Sequence, residues 1–201
     1  MKRTVEDGYD AIAQRYLDWS AQIADDPRLR YLAEFDERLP DGAKVLELGC
    51  GAGVPCGQKL AERHDVLGVD LSQRQVELAR ANVPAGQFAK ADMTALDLPD
   101  GEFDGVAAFY SILHVPRAEQ PSLIAKIARW LKPGGLFLAS LGVGTPDVTE
   151  TWLGVEMFFG SNTPDVNRDL LAQHLEIVID DLVTMHEPGP ATFHWVLARK
   201  S

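Results

Sequence analysis

The chain has 201 residues, 46% hydrophobic and 24% charged, with a formal charge of 19 − 30 = −11. That length fits one domain with a core large enough to need no covalent staples, and the acidic balance disfavours nucleic acid as a partner, because the average surface repels a polyanion. Two cysteines, Cys50 and Cys56, exclude a disulfide framework, and no apolar run approaches the ~18 residues of a membrane span. The expectation is a cytoplasmic protein, monomer or homodimer, with no membrane partner.

The first forty residues read as two helices, about 8–23 and 27–39, ahead of the first strand. Val45-Leu46-Glu47-Leu48 is a short strand, and 55–63 is a helix. Val66 to Asp70 is a second strand, and Ser72 caps a helix that Pro84 stops. Gln87 to Ala91 and Phe103 to Tyr110 are the third and fourth strands. Residues 119–131 form a helix with Ile124, Ile127, Ala128 and Leu131 on one stripe; its basic residues Lys126, Arg129 and Lys132 read as a solvated face. Leu136 to Leu141 is a fifth strand. The segment 142–162, rich in Gly, Thr and aromatics, breaks the rhythm. A helix over 165–175 follows, then strands 176–183 and 192–199 joined by the turn Glu187-Pro188-Gly189-Pro190. Alternating strands and helices imply a parallel sheet covered on both faces, closed by an antiparallel pair.

The sharpest local feature is Glu47-Leu48-Gly49-Cys50-Gly51-Ala52-Gly53, between a strand and a helix. Glycines there permit a tight turn and the close approach of a ligand to the main chain. Asp70, at the end of the next strand, is placed to accept hydrogen bonds from ribose hydroxyls. The spacing is Gly-x-Gly-x-Gly, whereas a dinucleotide turn has Gly-x-Gly-x-x-Gly and holds a pyrophosphate. A carboxylate such as Glu47 repels that anion by about 4 kcal/mol at ~4 Å in an effective dielectric of about 20. It attracts a ligand bearing an ammonium and a sulfonium, as S-adenosylmethionine does. Asp92, after the third strand, adds an acid to which an adenine amino group can donate.

Residues 45–55, Asp70-Leu71-Ser72, Ala91-Asp92-Met93, 103–115 and Leu131-Lys132-Pro133-Gly134-Gly135 resemble, in order and spacing, the successive motifs of the class I S-adenosylmethionine-dependent methyltransferases, and in particular the small bacterial members built on the bare catalytic domain. The resemblance spans roughly residues 5–200. It implies an α/β, Rossmann-like, doubly wound sheet of seven strands in the order 3-2-1-4-5-7-6, strand 7 antiparallel. The whole chain, 1–201, is then one domain, with 1–40 as a helical cap and 142–175 as the acceptor-site segment.

Carried over residue by residue, the resemblance implies that Gly49, Gly51 and Gly53 line the methionine part of the cofactor, with Cys50 a small packing residue in the same turn. Glu47 attracts the amino group, Asp70 takes the ribose and Leu71 flanks the adenine. Asp92 and Met93 hold the adenine edge and face. Phe109, Tyr110 and Ser111 form the floor near the sulfur. Tyr9 and Tyr16 fall in Tyr-Asp-x-x-Ala-x-x-Tyr on a helix that closes over the cofactor, where a tyrosine reaches the methionine carboxylate.

Methyl transfer from a sulfonium is an in-line displacement with a neutral leaving group, S-adenosyl-L-homocysteine, and needs no metal. Orientation is its main requirement, and a base is needed only for a weakly acidic acceptor. His114, just after the fourth strand, is the candidate base. His186 and His194, beside the final strand pair, are candidates for the acceptor side. His64 and His174 sit near helix ends and are read without chemistry, and Glu176, Asp180 and Asp181 as a solvated strand face. Trp152, Met157 and Phe158 should line an acceptor pocket, with Trp19 on the opposite wall, and the acceptor should be a small molecule, methylated at oxygen in preference to nitrogen or carbon. The rivals are an NAD(P)-dependent oxidoreductase, opposed by Glu47 and the glycine spacing, and a domain that binds S-adenosylmethionine without transferring its methyl group.

Overall fold

Helices and strands alternate along most of the chain, and a computed structural model, describing residues 1–23, 26–186 and 189–201, shows how they pack. The order is α1 (Lys2–Ser20), α2 (Arg28–Asp36), β1 (Lys44–Leu48), α3 (Cys56–Leu60), β2 (Asp65–Asp70), α4 (Gln73–Asn82), β3 (Gln87–Lys90), β4 (Phe103–Phe109), α5 (Gln120–Trp130), β5 (Leu131–Gly142), β6 (Val148–Trp152), β7 (Val155–Phe159), α6 (Pro164–Ala172), β8 (Glu176–Met185) and β9 (Ala191–Arg199). Seven strands form one sheet in the order β3-β2-β1-β4-β5-β9-β8, the topology that the resemblance implies. β1 to β5 pair in parallel, and β9 runs antiparallel to both β5 and β8. Of the turn before β9, Glu187 and Pro188 lie outside the described residues.

The central strands are apolar on both sides because both faces are covered. On one face Phe103, Val106 and Ala108 of β4 pack with Leu123, Ile124 and Ile127 of α5 and Leu171 of α6. On the other, Ala107 and Phe109 pack with Leu32 and Phe35 of α2 and Leu60 of α3. Ser72 caps α4 by accepting the Gln75 N–H at 3.1 Å. Among the described residues no helix is long and apolar enough to cross a membrane.

Three elements differ from the sequence expectation. α1 begins at Lys2, because Val5, Gly8 and Ile12 are spaced as one helix face and are buried. Residues 148–159, expected as the acceptor segment without strands, form a separate hairpin, β6–β7. Its two-residue loop, Leu153 (φ +47°) and Gly154 (φ +81°), has the left-handed backbone of a type I′ turn. The helix Gly8 packs α1 directly on this hairpin: a Cβ there would stand 2.8 Å from Met157 Cε and 3.1 Å from the Glu156 carbonyl. Finally, of the β8 acids expected as a solvated face Glu176 is exposed, but Asp180 and Asp181 are engaged. Asp180 accepts from His194 Nε2 at 2.9 Å and from Arg168, and Asp181 accepts the Tyr31 hydroxyl at 2.7 Å.

Candidate functional site

The carboxyl ends of β1 to β4 open into a cavity of about 1000 Å³, its mouth included. The Gly-rich turn forms its floor. Gly49 has φ +73°, and a Cβ there would lie 2.3 Å from Ser111 Cβ, so both its conformation and its neighbour require glycine. The N–H groups of Gly49 and Cys50 both donate to the Val69 carbonyl, at 2.8 and 3.0 Å, tying the turn to β2. Gly51 N–H donates to Asp70 Oδ2 and Ser72 N–H to Asp70 Oδ1, each at 2.9 Å, which fixes the carboxylate between the turn and the start of α4. Gly53, expected on this wall, lies off it. It packs against α4, where a Cβ would meet Val83 and Ala79 at 3.0 and 3.2 Å.

The cavity wall carries ionisable side chains that are held out of water. Glu47 is buried, its Oε2 has no hydrogen-bond partner, and burial lifts its carboxyl to about 8, against the pull of Arg28 and with Asp70 adding to the rise. Burial likewise lifts Asp70 to about 6. Arg28, at the start of α2, reaches the same wall with its guanidinium bonded to Asp26 through Nε at 2.6 Å. Gln75, in the first turn of α4, is buried with both Oε1 and Nε2 unpartnered. The thiols of Cys50 and Cys56 are pushed up by burial and stay neutral. Neither Arg28 nor Gln75 stands out in the sequence. For Gln75 a signal exists: it shares a helical stripe with the buried Ala79, at i and i+4.

α1 roofs this cavity and is clasped at several points. Tyr9 donates its hydroxyl to His114 Nε2 at 2.9 Å, and His114 Nδ1 donates to the Phe158 carbonyl at 2.8 Å. The Nδ1–H tautomer follows, since a carbonyl can only accept. Burial lowers His114 to about 4, so the ring is neutral at physiological pH with both nitrogens engaged. That arrangement disfavours the expected base and makes His114 an anchor for α1. Lys2 bonds Asp92 Oδ2 at 3.0 Å and Thr94 at 2.6 Å, while Asp92 Oδ1 accepts Thr94 N–H at 2.8 Å. Asp10 accepts the Ser72 hydroxyl, which joins α1 to the start of α4. Tyr16, Leu71, Met93, Phe109, Tyr110 and Ser111 complete the wall.

A second cavity of about 1530 Å³, open at its mouth, meets the first at Tyr9, Tyr16, Ser20, Arg28, Tyr110 and His114. Tyr110 stands at this junction with φ +51°, its N–H held by Ser140 Oγ at 2.7 Å. A non-glycine residue in that region stores about 1–3 kcal/mol and is a mark of functional placement. Trp19 and Trp152 line the second cavity with Phe159, their rings 5.5 Å apart and edge to face. Met157 and Phe158 do not line it. They are buried in one cluster with Val5 and Ile12 of α1. His186 is exposed and off both walls. His194 is buried with Asp180, also off both walls. His64 is buried and pairs with Asp36 at 2.7 Å.

A family model described as a methyltransferase domain matches residues 45–135, from β1 through the turn and the strand-end acids into β5. Residues 45–135 are therefore a methyltransferase domain, of the class I S-adenosylmethionine-dependent kind. Its cofactor is S-adenosylmethionine. This methyltransferase chain is 38% identical over 108 residues to a wheat (Triticum aestivum) phosphoethanolamine N-methyltransferase, which covers 51% of the chain and 21% of that protein. It is 38% identical over 109 residues to an O-methyltransferase of Penicillium expansum, covering 50% of the chain and 38% of that protein. The match thus spans well under two thirds of either relative. In fold it resembles the Burkholderia thailandensis 1,6-didemethyltoxoflavin-N1-methyltransferase, crystallised with its substrate and S-adenosylhomocysteine, at TM-score 0.75 and 22% identity over 98% of this chain and 87% of that one.

Proposed function

We propose that the chain transfers a methyl group from S-adenosylmethionine, bound in the first cavity, to a small organic acceptor that enters through the second. The observation that carries this is Glu47: a buried carboxyl with an unpartnered oxygen in the wall of a cavity floored by a glycine turn. A buried acceptor without a partner costs about 1–3 kcal/mol, and an ammonium relieves that cost where a pyrophosphate adds to it.

The donor set fits the cofactor at both ends. Glu47 takes the amino group of the methionine part. Arg28 and Tyr16, on the same wall, take the carboxylate. Asp70 and Gln75 face the ribose, Asp70 as acceptor and Gln75 as both donor and acceptor. Leu71 and Met93 flank the adenine, and Asp92, already engaged by Lys2 and Thr94, offers its edge. Gly49, Gly51 and Cys50 permit close approach, and Phe109 and Ser111 support the floor beneath Tyr110. Bound there, S-adenosylmethionine supplies an electrophilic methyl group on a positively charged sulfur. The chain's own residues orient and exclude water: α1, residues 2–20, roofs the first cavity, and the hairpin within 142–175 walls the second. Holding two reactants in line lowers a displacement barrier by roughly 7–11 kcal/mol.

Calorimetry on the purified chain with S-adenosylmethionine and S-adenosylhomocysteine tests the reading. Micromolar binding of both is expected. Binding of NADH with no heat from either nucleoside would overturn it. Relatives act, by name, at either nitrogen or oxygen, so the acceptor atom has to be read from this chain's own walls.

A further inference from the structure

The second cavity is walled by rings. Tyr9, Tyr16, Trp19, Trp152 and Phe159 form one continuous aromatic surface, with Trp152 at its centre within 6.2 Å of each of the other four ring centroids. Among the described residues, its charged side chains are two carboxylates and one guanidinium: Asp26, Glu150 and Arg28. Arg28 holds Asp26 through Nε at 2.6 Å and Nη2 at 2.5 Å, both side chains being largely buried, and under the transfer reading above the rest of its guanidinium goes to the cofactor's own carboxylate. Glu150 stands exposed on β6. Among the described residues the wall therefore has no cation left with which to bind an acceptor anion, and they give it a formal charge of −1.

Among the described residues the junction also lacks a group free to remove a proton. His114 accepts from Tyr9 and donates to a carbonyl. Asp26 accepts from Arg28 N–H and Nε and from the Tyr110 hydroxyl. An alcohol or phenol reacts readily only with such help, and a carboxylate acceptor lacks a counter-ion here. A neutral nitrogen needs neither, since its lone pair is already available.

We infer that the acceptor is a neutral nitrogen, an aromatic amine or ring nitrogen, on a flat apolar body that stacks in the ring-lined cavity. The inference rests on the transfer reading above. The nitrogen lone pair forms the N–CH3 bond while the C–S bond breaks, its electron pair returning to sulfur as a neutral thioether. The nitrogen takes on the positive charge and, where it bears a hydrogen, releases that proton to water at the open mouth. Positive charge thus grows on the acceptor in the transition state, and aromatic faces with one unbalanced carboxylate stabilise a cation at that place. An oxygen acceptor, expected from the sequence, ends neutral or needs its proton removed, and gains nothing from this wall.

The test uses one bicyclic aromatic scaffold with an amino, a hydroxyl or a carboxyl group at the same position. Binding to the chain saturated with S-adenosylhomocysteine is read by quenching of tryptophan fluorescence, and methylation with S-adenosylmethionine is read by mass spectrometry. The amine should bind and be methylated, the carboxylate should bind at least tenfold more weakly, and the phenol should bind but turn over at least tenfold more slowly at neutral pH. Glu150→Lys, an exposed change, should narrow the amine-to-carboxylate ratio at least fivefold. Tighter binding of the carboxylate, equal methylation of the phenol, or no quenching by any of the three would overturn the inference. Calorimetry with S-adenosylhomocysteine comes first: absence of that heat removes the transfer reading itself, while its presence with the wrong acceptor preference removes only the nitrogen assignment.

Discussion

Replacing Gln75 by methionine should raise the stability of the cofactor-free protein and lower its affinity for cofactor. The side chain is buried on α4 with neither amide atom bonded, while its own N–H is already satisfied by Ser72. A Cβ on Gly51 would lie 3.9 Å from its Oε1, so the amide sits over the glycine turn. Each buried polar group left without a partner costs about 1–3 kcal/mol. Methionine has nearly the same length and no such groups, so Gln75→Met should recover at least about 1 kcal/mol. For a chain of this size that is a rise in Tm of about 2–4 °C per kcal/mol. With cofactor bound, the variant loses one or two hydrogen bonds of about 0.5–1.5 kcal/mol each, a weakening of about 2- to 150-fold in Kd. Differential scanning calorimetry without ligand and titration calorimetry with S-adenosylhomocysteine measure the two effects. Opposite signs are required. A variant that melts lower and binds equally well would show that Gln75 is bonded within the protein, and the reasoning would fail.

Three further outcomes follow from the same wall. Glu47, lifted to about 8 by burial, is protonated at neutral pH in the free chain, and an ammonium partner demands the carboxylate; binding should release a proton, and affinity should rise by up to about tenfold per pH unit below pH 8, as read from the buffer dependence of the binding heat. Since its folded value lies above the ordinary 4.5, the free chain should lose stability as pH rises between about 5 and 8, and Glu47→Gln should abolish both effects. Asp70→Ala should weaken S-adenosylhomocysteine binding by about 1–3 kcal/mol and also lower Tm, because Gly51 and Ser72 lose their shared acceptor; unchanged affinity would remove Asp70 from the ribose site. Tyr9→Phe should leave His114 Nε2 without a partner and loosen α1, seen as faster amide exchange over residues 2–20, whereas unchanged exchange would mean the helix is held elsewhere.

The sheet was readable because its strands carry their own signals. Val45 to Leu48, Val66 to Asp70 and Phe103 to Phe109 are short, mostly apolar runs bounded by turn residues, and the Gly49–Gly53 turn with Asp70 locates one end of the site. The hairpin was not, because its strands are five residues each and its turn uses Leu153 where the left-handed backbone favours Asn or Gly. Without the hairpin, the burial of Met157 and Phe158 under α1 has no visible cause, and both read as pocket residues. Lys2, Arg3, Glu6 and Asp7 hide the start of α1 behind charge. Arg28 and Gln75 read as surface polar residues, since composition does not reveal which polar side chain turns inward. His114 shows the converse: its position near the reacting end is legible, but the Phe158 carbonyl that occupies its Nδ1 comes from a strand 44 positions away.

The β6–β7 hairpin stands outside the seven-stranded sheet and shares no backbone ladder with it. It therefore behaves as a cassette. Its twelve residues pair only with one another, so a change within them leaves the register of the seven sheet strands untouched, while α1 brackets the hairpin through Gly8 and through Arg15, whose guanidinium caps the loop carbonyl of Leu153 at 2.6 Å. Under the transfer reading proposed above, acceptor choice then rests in part on a piece of chain that lies outside the scaffold holding the cofactor.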